Sequence, residues 1–166
     1  MYTKEEFDNA KTKVLKYVLY KKRSEYEIRN KFSTVMEENM LDDVIEYLKE
    51  ANYIDDTLYI QKTINNFIAL KNLSIKEIKY KLLSKGINKN LIEDYFYANK
   101  EELEEYERKS AQNIIYKKSS SMDEDEIKNY LLKKGYSIDN INETLEEKWE
   151  NFLLLFWFYY SKMDKK

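Results

Sequence analysis

Lysine and arginine are the side chains whose spacing in this chain invites binding chemistry. Lys11, Lys13, Lys16, Lys21, Lys22 and Arg23 follow one another with no acidic residue between Lys11 and Arg23. Lys62, Lys71, Lys76, Lys79, Lys81, Lys85 and Lys89 form a second basic stretch, interrupted only by Glu77. Acidic blocks lie between and after them, Glu37 to Asp56 with Lys49 as the one base and Glu93 to Glu107 with Lys100 as the one base. The net charge is only −2, which argues against a simple DNA-coating protein. Local potential, however, is what steers a polyanion or an acidic protein surface, and here the two signs are segregated. The plain alternative is that these lysines are solvated helix faces.

Catalytic chemistry finds less support. The chain has no His and no Cys, which removes imidazole and thiolate zinc sites and every scheme built on those nucleophiles or bases. Its only glycines, Gly86 and Gly135, are too far apart to form a phosphate-cradling loop. Asp55 and Asp56 form a carboxylate pair of the kind that does acid–base or metal work, but Asp before a helix more often caps free N–H groups and complements the dipole. No EF-hand pattern accompanies the acidic runs. We therefore expect a non-enzyme with no cofactor and no metal.

The elements that position these charges are helices. With no Pro, two Gly and 36% charged residues, the chain lacks the turn residues a β-rich fold consumes. A repeat organises it. SEYEIRNKF from Ser24, SIKEIKYKL from Ser74 and DEDEIKNYL from Asp123 each place Glu27, Glu77 or Glu126 three residues after a Ser or Asp, the capping-box spacing. Ile28, Ile78 and Ile127 follow, 50 and 49 residues apart, each with a basic neighbour and with Phe32, Leu82 or Leu131 four residues on. That spacing puts both apolar side chains on one helix face. Val14, Tyr17 and Val18 precede Ile28 by the offsets at which Ile64, Phe67 and Ile68 precede Ile78. Gly86 and Gly135 end the second and third capped helices, where a left-handed residue is cheapest as Gly, and the first copy has no such Gly. The expectation is an all-α chain of about nine helices, at 3–22, 24–36, 41–51, 56–72, 74–85, 89–99, 101–118, 123–134 and 139–160. These group into repeats 1–54, 55–100 and 101–166, stacked as an array because a lone three-helix unit buries too little surface.

RSEYEIRNKF (Arg23 to Phe32), YLKEANYIDDTLY (Tyr47 to Tyr59) and IKEIKYKLLSKGI (Ile75 to Ile87) resemble, in order and spacing, the RecX family of regulators of the RecA recombinase. Tyr53, Ile54, Asp55 and Asp56 stand at that family's junction motif, and Lys85-Gly86-Ile87 at its second-repeat motif. The resemblance runs over about residues 10–145. It implies tandem three-helix repeats in a curved, elongated array that lies along the RecA–single-stranded DNA filament and tempers recombination, ATP turnover, coprotease activity and the SOS response to DNA damage. It brings no catalytic residues. Taken with the charge pattern, it makes Lys21, Lys22, Arg23, Arg29, Lys76, Lys79 and Lys81 the candidate partner-binding basic face. Nucleic acid would be met through the filament, with weak direct DNA contact in addition.

Three alternatives stay open at this stage. Arg29 is placed to pair with Glu25 on its own helix. Tyr17, Tyr20, Tyr26, Tyr47, Tyr53, Tyr59 and Tyr80 suit half-buried packing better than base stacking. The whole chain also fits a helical-repeat scaffold for another protein, or a DNA-binding protein independent of RecA. The start is polar, without a signal-peptide core, and the longest apolar run, Phe152 to Tyr160, is about half the ~20 residues that span a bilayer. A cytoplasmic, soluble monomer is expected, with that run packed as an end cap rather than as an oligomer seam or a membrane anchor.

Overall fold

The structure, a computed structural model, describes residues 2–147. The apolar run from Phe152 to Tyr160 and the end-cap reading of it lie outside the described residues. Among those described there is no strand and there are nine helical stretches: α1 (Lys4–Tyr20), α2 (Glu25–Phe32), α3 (Glu38–Glu50), α4 (Asp56–Leu70), α5 (Ile75–Leu83), α6 (Lys89–Ala98), α7 (Lys100–Lys118), α8 (Glu124–Lys134) and α9 (138–147). The chain divides into two compact units, one running to Asn66 and including Lys79–Ala98, the other comprising Phe67–Ile78 and the residues from Asn99 onward. The division falls within α4 and within α5.

In the first unit, Val14 and Val18 of α1, Ile28 and Phe32 of α2, and Leu41, Val44, Ile45 and Leu48 of α3 form one buried cluster with Ile54. Each helix supplies its share at the three- and four-residue spacing that makes one apolar stripe. Ile60 and Ile64 of α4, Leu82 of α5, and Ile92 and Phe96 of α6 are buried as well. In the second unit, Ala111 and Ile115 of α7, Ile127 and Leu131 of α8, and Ile141 and Leu145 of α9 form the corresponding cluster with Tyr136. The three anchor isoleucines Ile28, Ile78 and Ile127 are all fully enclosed. The equivalent pairs downstream, Ile92 with Phe96 and Ile141 with Leu145, are buried as well.

The ends of α3, α5 and α8 each carry a residue in the left-handed conformation. Gly86 has φ +71 and Gly135 φ +85. Each closes a Schellman turn, with Ile87 N–H donating to Leu82 O and Tyr136 N–H to Leu131 O. Ile87 and Tyr136 are buried as the apolar residues that follow such turns. Where the first repeat lacks glycine, Ser33 stays right-handed and both Val35 and Met36 donate to Phe32 O. α2 stops at Phe32, earlier than the expected 36, and passes into this turn with no left-handed residue. The left-handed residue of that repeat is Asn52, φ 59, which ends α3 by the same pair of turn bonds.

The two glycines face different neighbours. A Cβ on Gly86 would lie 2.0 Å from Tyr26 Cγ and 2.4 Å from its Cβ. On Gly135 it would lie 2.9 Å from Cδ of the flexible Lys76 side chain. Both substitutions to Ala incur the left-handed penalty of about 1–2 kcal/mol, but only Gly86→Ala also drives a ring from its place. Urea melts should therefore show Gly86→Ala clearly less stable than Gly135→Ala, and equal losses would contradict the close approach of Tyr26.

Candidate functional site

The capped helix starts do more than begin helices. Ser24 Oγ accepts the Glu27 N–H at 3.2 Å, while Ser24 N–H donates to Glu27 Oε2 at 3.1 Å. The same hydroxyl donates a hydrogen bond to the carbonyl of Lys85, the residue just before Gly86, at 2.9 Å. Lys85 Nζ lies 3.4 Å from Glu27 Oε1. The second unit repeats the device. Ser74 Oγ accepts Glu77 N–H at 3.0 Å and donates to the carbonyl of Lys134 at 2.7 Å, and Lys134 Nζ lies 3.5 Å from Glu77 Oε1. Both serines are fully enclosed. At the third start, Asp123 completes its capping box with Glu126, but it is exposed. Its carboxylate has no proton to offer a carbonyl.

A carboxylate closes each junction from the other side. Asp55 caps its own helix by accepting Leu58 N–H at 2.9 Å, whereas Asp56 reaches across to accept Glu25 N–H at 3.0 Å. Both aspartates thus serve free helix N–H groups, Asp56 those of a different helix. Glu107 takes this place in the second unit, accepting Ile75 N–H at 2.7 Å. Its other oxygen accepts Asn140 Nδ2–H at 2.6 Å and Ser137 N–H at 3.4 Å. Glu107 is only 2% exposed, and a buried carboxylate is tolerable when it is fully hydrogen-bonded. Here the N-termini of α5 and α9 both present N–H groups to it, and their dipoles favour negative charge.

Electrostatics at the first junction have mixed signs. Burial pushes Glu25 up, but Lys49 and Arg29 outweigh it and hold its carboxyl below the usual range. For Glu27, burial is likewise outweighed by the Ser24 N–H and Lys85. Asp56 is raised by its burial and by the Glu25 charge, against the Glu25 N–H that lowers it. Glu25 and Glu27 thus stabilise the folded chain above their ordinary value of 4.5 and lose that contribution as pH falls through their depressed values. Asp56 acts in the opposite sense: its contribution is present below 3.8 and lost as pH rises through its folded value.

The junction bond from Ser24 to Lys85 sets the stretch Lys21–Arg23 beside the C-terminal turn of α5, so the first unit brings together parts of the two basic stretches. The cations differ in how they are held. Arg29 is filled: its Nε donates to Glu25 at 2.8 Å and a terminal nitrogen to Asp42. Lys79 pairs with Glu93 of α6, 4.8 Å above the Phe96 ring. Arg23 lies 4.6 Å over the Tyr17 ring, itself edge-on to Phe32, and 3.9 Å from Glu27. Lys21, Lys22 and Lys81 have no ion-pair partner among the described residues. Lys76 belongs to the second unit, exposed and packed by its stem against Gly135. Sequence reasoning saw the capping boxes but missed the second bond of each serine and the role of Glu107. The recurring Lys-Gly pair was the signal for the first, and the second was hidden in an acidic run.

No family model matches the chain. Among curated proteins it is similar to the regulatory protein RecX of Clostridium acetobutylicum, 32% identical over 151 residues that cover 83% of this chain and 68% of that protein. The chain belongs to the RecX family. RecX of Clostridioides difficile is 27% identical over 156 residues, 86% of this chain and 69% of that one. RecX of Staphylococcus carnosus is 30% identical over 136 residues, and the match spans 51% of that longer relative. In fold, the crystal structure of RecX from Lactobacillus salivarius superposes with a TM-score of 0.75 over 87% of this chain and 97% of that one, at 23% identity. Among the described residues no helix is long and apolar enough to cross a membrane.

The contrast between the serine and aspartate starts can be tested. Asp caps a helix about as well as Ser but cannot donate to the Lys85 carbonyl, and a part-buried carbonyl left facing a carboxylate loses that bond at a cost of about 1–3 kcal/mol. Ser24→Asp should lower unfolding free energy by about 2 kcal/mol or more, whereas Asp123→Ser at the exposed start should stay within about 0.5 kcal/mol. Equal effects at both positions in denaturant melts would show that the junction bond contributes nothing beyond the cap.

Proposed function

We propose that this RecX-family chain is a non-enzymatic regulator that binds the RecA–single-stranded DNA filament and mainly restrains its recombinase, ATPase and coprotease activities. The observation that carries the reading is the 32% identity to a protein named regulatory protein RecX, over 68% of that protein's length. The geometry supports it: the first unit sets Lys21, Lys22 and Arg23 beside the Lys81–Lys85 turn, and Lys21, Lys22 and Lys81 have no ion-pair partner among the described residues. Affinity would come from many modest contacts, made by Lys21, Lys22, Arg23, Arg29, Lys76, Lys79 and Lys81 along repeats 1–54, 55–100 and 101–166. The chain would act in the cytoplasm as a monomer, reaching nucleic acid through the filament.

The committed cations suggest how to divide the work. Arg29 and Lys79 hold helices together, and reversing them would damage the fold. Lys21, Lys22 and Lys81 are free to meet a polyanion. The test is the single-strand-dependent ATPase of RecA from the same organism, measured with the protein well below RecA in amount. Suppression is expected, with Lys21→Glu, Lys22→Glu and Lys81→Glu together weakening it several-fold. The salt dependence should also fall by roughly 0.7 in log–log slope for each lysine that met a single-strand phosphate. No suppression by the wild-type chain would overturn the reading. Suppression unchanged in the triple variant would remove the basic face from it.

A further inference from the structure

Each serine start docks on a face supplied by the next repeat, and that face has a fixed composition. One half is a carboxylate on the helix before the capped one. Asp56 stands eight residues before the buried Ile64, and Glu107 stands eight before the buried Ile115. It accepts the first N–H of the docked helix, from Glu25 or from Ile75. The other half is the turn that ends the capped helix. There Lys85 and Lys134 stand eleven residues after Ser74 and Asp123, and their carbonyls accept from the docked serine.

The first repeat has the same positions. Glu6 stands eight residues before the buried Val14 of α1, and Val35 stands eleven after Ser24. With Asn9, Ala10, Lys13 and Met36 they line an open cleft of about 430 Å³. Glu6 serves its own helix cap through one oxygen, since Thr3 N–H and Oγ both donate to Oε2, at 2.7 and 2.9 Å. Its Oε1 has no partner among the described residues, and no backbone N–H among them bonds the Val35 carbonyl. The acceptors of a junction are therefore in place. The turn is different: Val35 stands for the lysine and Met36 for the glycine. The pairing of Lys85 with Glu27, or of Lys134 with Glu77, has no counterpart there. Lys13, exposed and without an ion-pair partner among the described residues, is the cation of the cleft.

The charges select the occupant. Glu6 and Glu37 line the cleft beside Lys13 alone, so it favours the positive end of a helix dipole and repels a first turn crowded with carboxylates. The exposed start of α8 in a second copy carries Asp123, Glu124, Asp125 and Glu126, and its aspartate has no proton for a carbonyl. We propose that the cleft between α1 and the turn after α2 docks a helix N-terminus of another protein, of the form Ser- or Thr-x-x-Glu with no further acid in its first turn. Its hydroxyl donates to the Val35 carbonyl, its first N–H donates to Glu6 Oε1, and its glutamate pairs with Lys13. Met36 and the exposed Val35 give it an apolar floor. The site goes beyond the filament reading, which rests on other residues.

The test follows amide chemical shifts of the full, isotope-labelled chain as a synthetic peptide is added. The probe has the sequence of residues 72–84, NLSIKEIKYKLLS, which is the α5 start, stapled on its outer face and checked to be helical by circular dichroism. Saturable shifts are expected in residues 6–13 and 35–37. Glu6→Gln should weaken binding several-fold, because Gln is accepted in a capping box but carries no charge. Lys13→Glu should do the same. Asn9→Arg, at an exposed position, fills the cleft and sets a cation against the positive helix end, so binding should be lost. Ser74→Asp in the peptide should weaken binding about tenfold or more, and a stapled peptide of residues 121–133, the α8 start, should not bind. Thermal melts confirm that each protein variant is folded. A helical probe that does not bind, or that binds Asn9→Arg as well as wild type, overturns the proposal. Tighter binding of the α8 peptide than of the α5 peptide also overturns it, in favour of end-to-end contact between copies. Suppression of RecA ATPase should be the same in Asn9→Arg as in wild type, so either reading can fail while the other stands.

Discussion

One hydroxyl group with two bonds governs how this chain is assembled. At Ser24 and again at Ser74 the Oγ accepts a hydrogen bond from an N–H in the first turn of its own helix and donates one to the carbonyl that precedes a distant glycine. The carbonyl is available only because the glycine behind it turns left-handed and ends the helix there. The glycine is required a second time at position 86, where the Tyr26 side chain occupies the space a Cβ would need. A serine, a glutamate three residues on, and a Lys-Gly pair about sixty residues away form one device, and the chain uses it once in each compact unit.

That dependence explains what could and could not be read in the amino-acid order. Capping boxes are local, three residues long, and their chemistry is visible at Ser24, Ser74 and Asp123. The apolar positions behind them are periodic, and Ile28, Ile78 and Ile127 are enclosed as their spacing predicts. The second serine bond joins residues 61 and 60 apart, and no local pattern announces it. Glu107 was illegible for another reason: it stands in a run of glutamates that looks like a solvated face, and only the convergence of two helix starts makes its burial tolerable. α2 ends early without any left-handed residue, in a turn where Val35 and Met36 N–H both donate to Phe32 O, a choice that composition alone does not reveal.

The basic residues divide along the same line. Charge segregation was plain in the sequence, but it does not say which cations are already engaged. Arg29 and Lys79 are bound into α2–α3 and α5–α6 contacts, whereas Lys21, Lys22 and Lys81 are left over. Arg23 falls between: it lies over the Tyr17 ring, and its enclosed Nε has no acceptor among the described residues. Binding energy in such a surface comes from cations whose positions are set by neighbours that do not themselves touch the partner. The serine junction therefore matters to function through placement, by fixing where the Lys21–Arg23 segment lies against the end of α5.

This link between junction and binding is most directly tested by titrating Gly86→Ala into the RecA ATPase reaction, at a temperature where circular dichroism shows the variant folded. The substitution changes no charge and removes no cation, and it acts only by forcing Tyr26 and the Lys85 carbonyl out of register with Ser24. Half-suppression should then require several-fold more protein than for wild type. A variant that suppresses RecA as well as wild type, while melting earlier, would show that the serine junction supports the fold and has no part in placing the binding face.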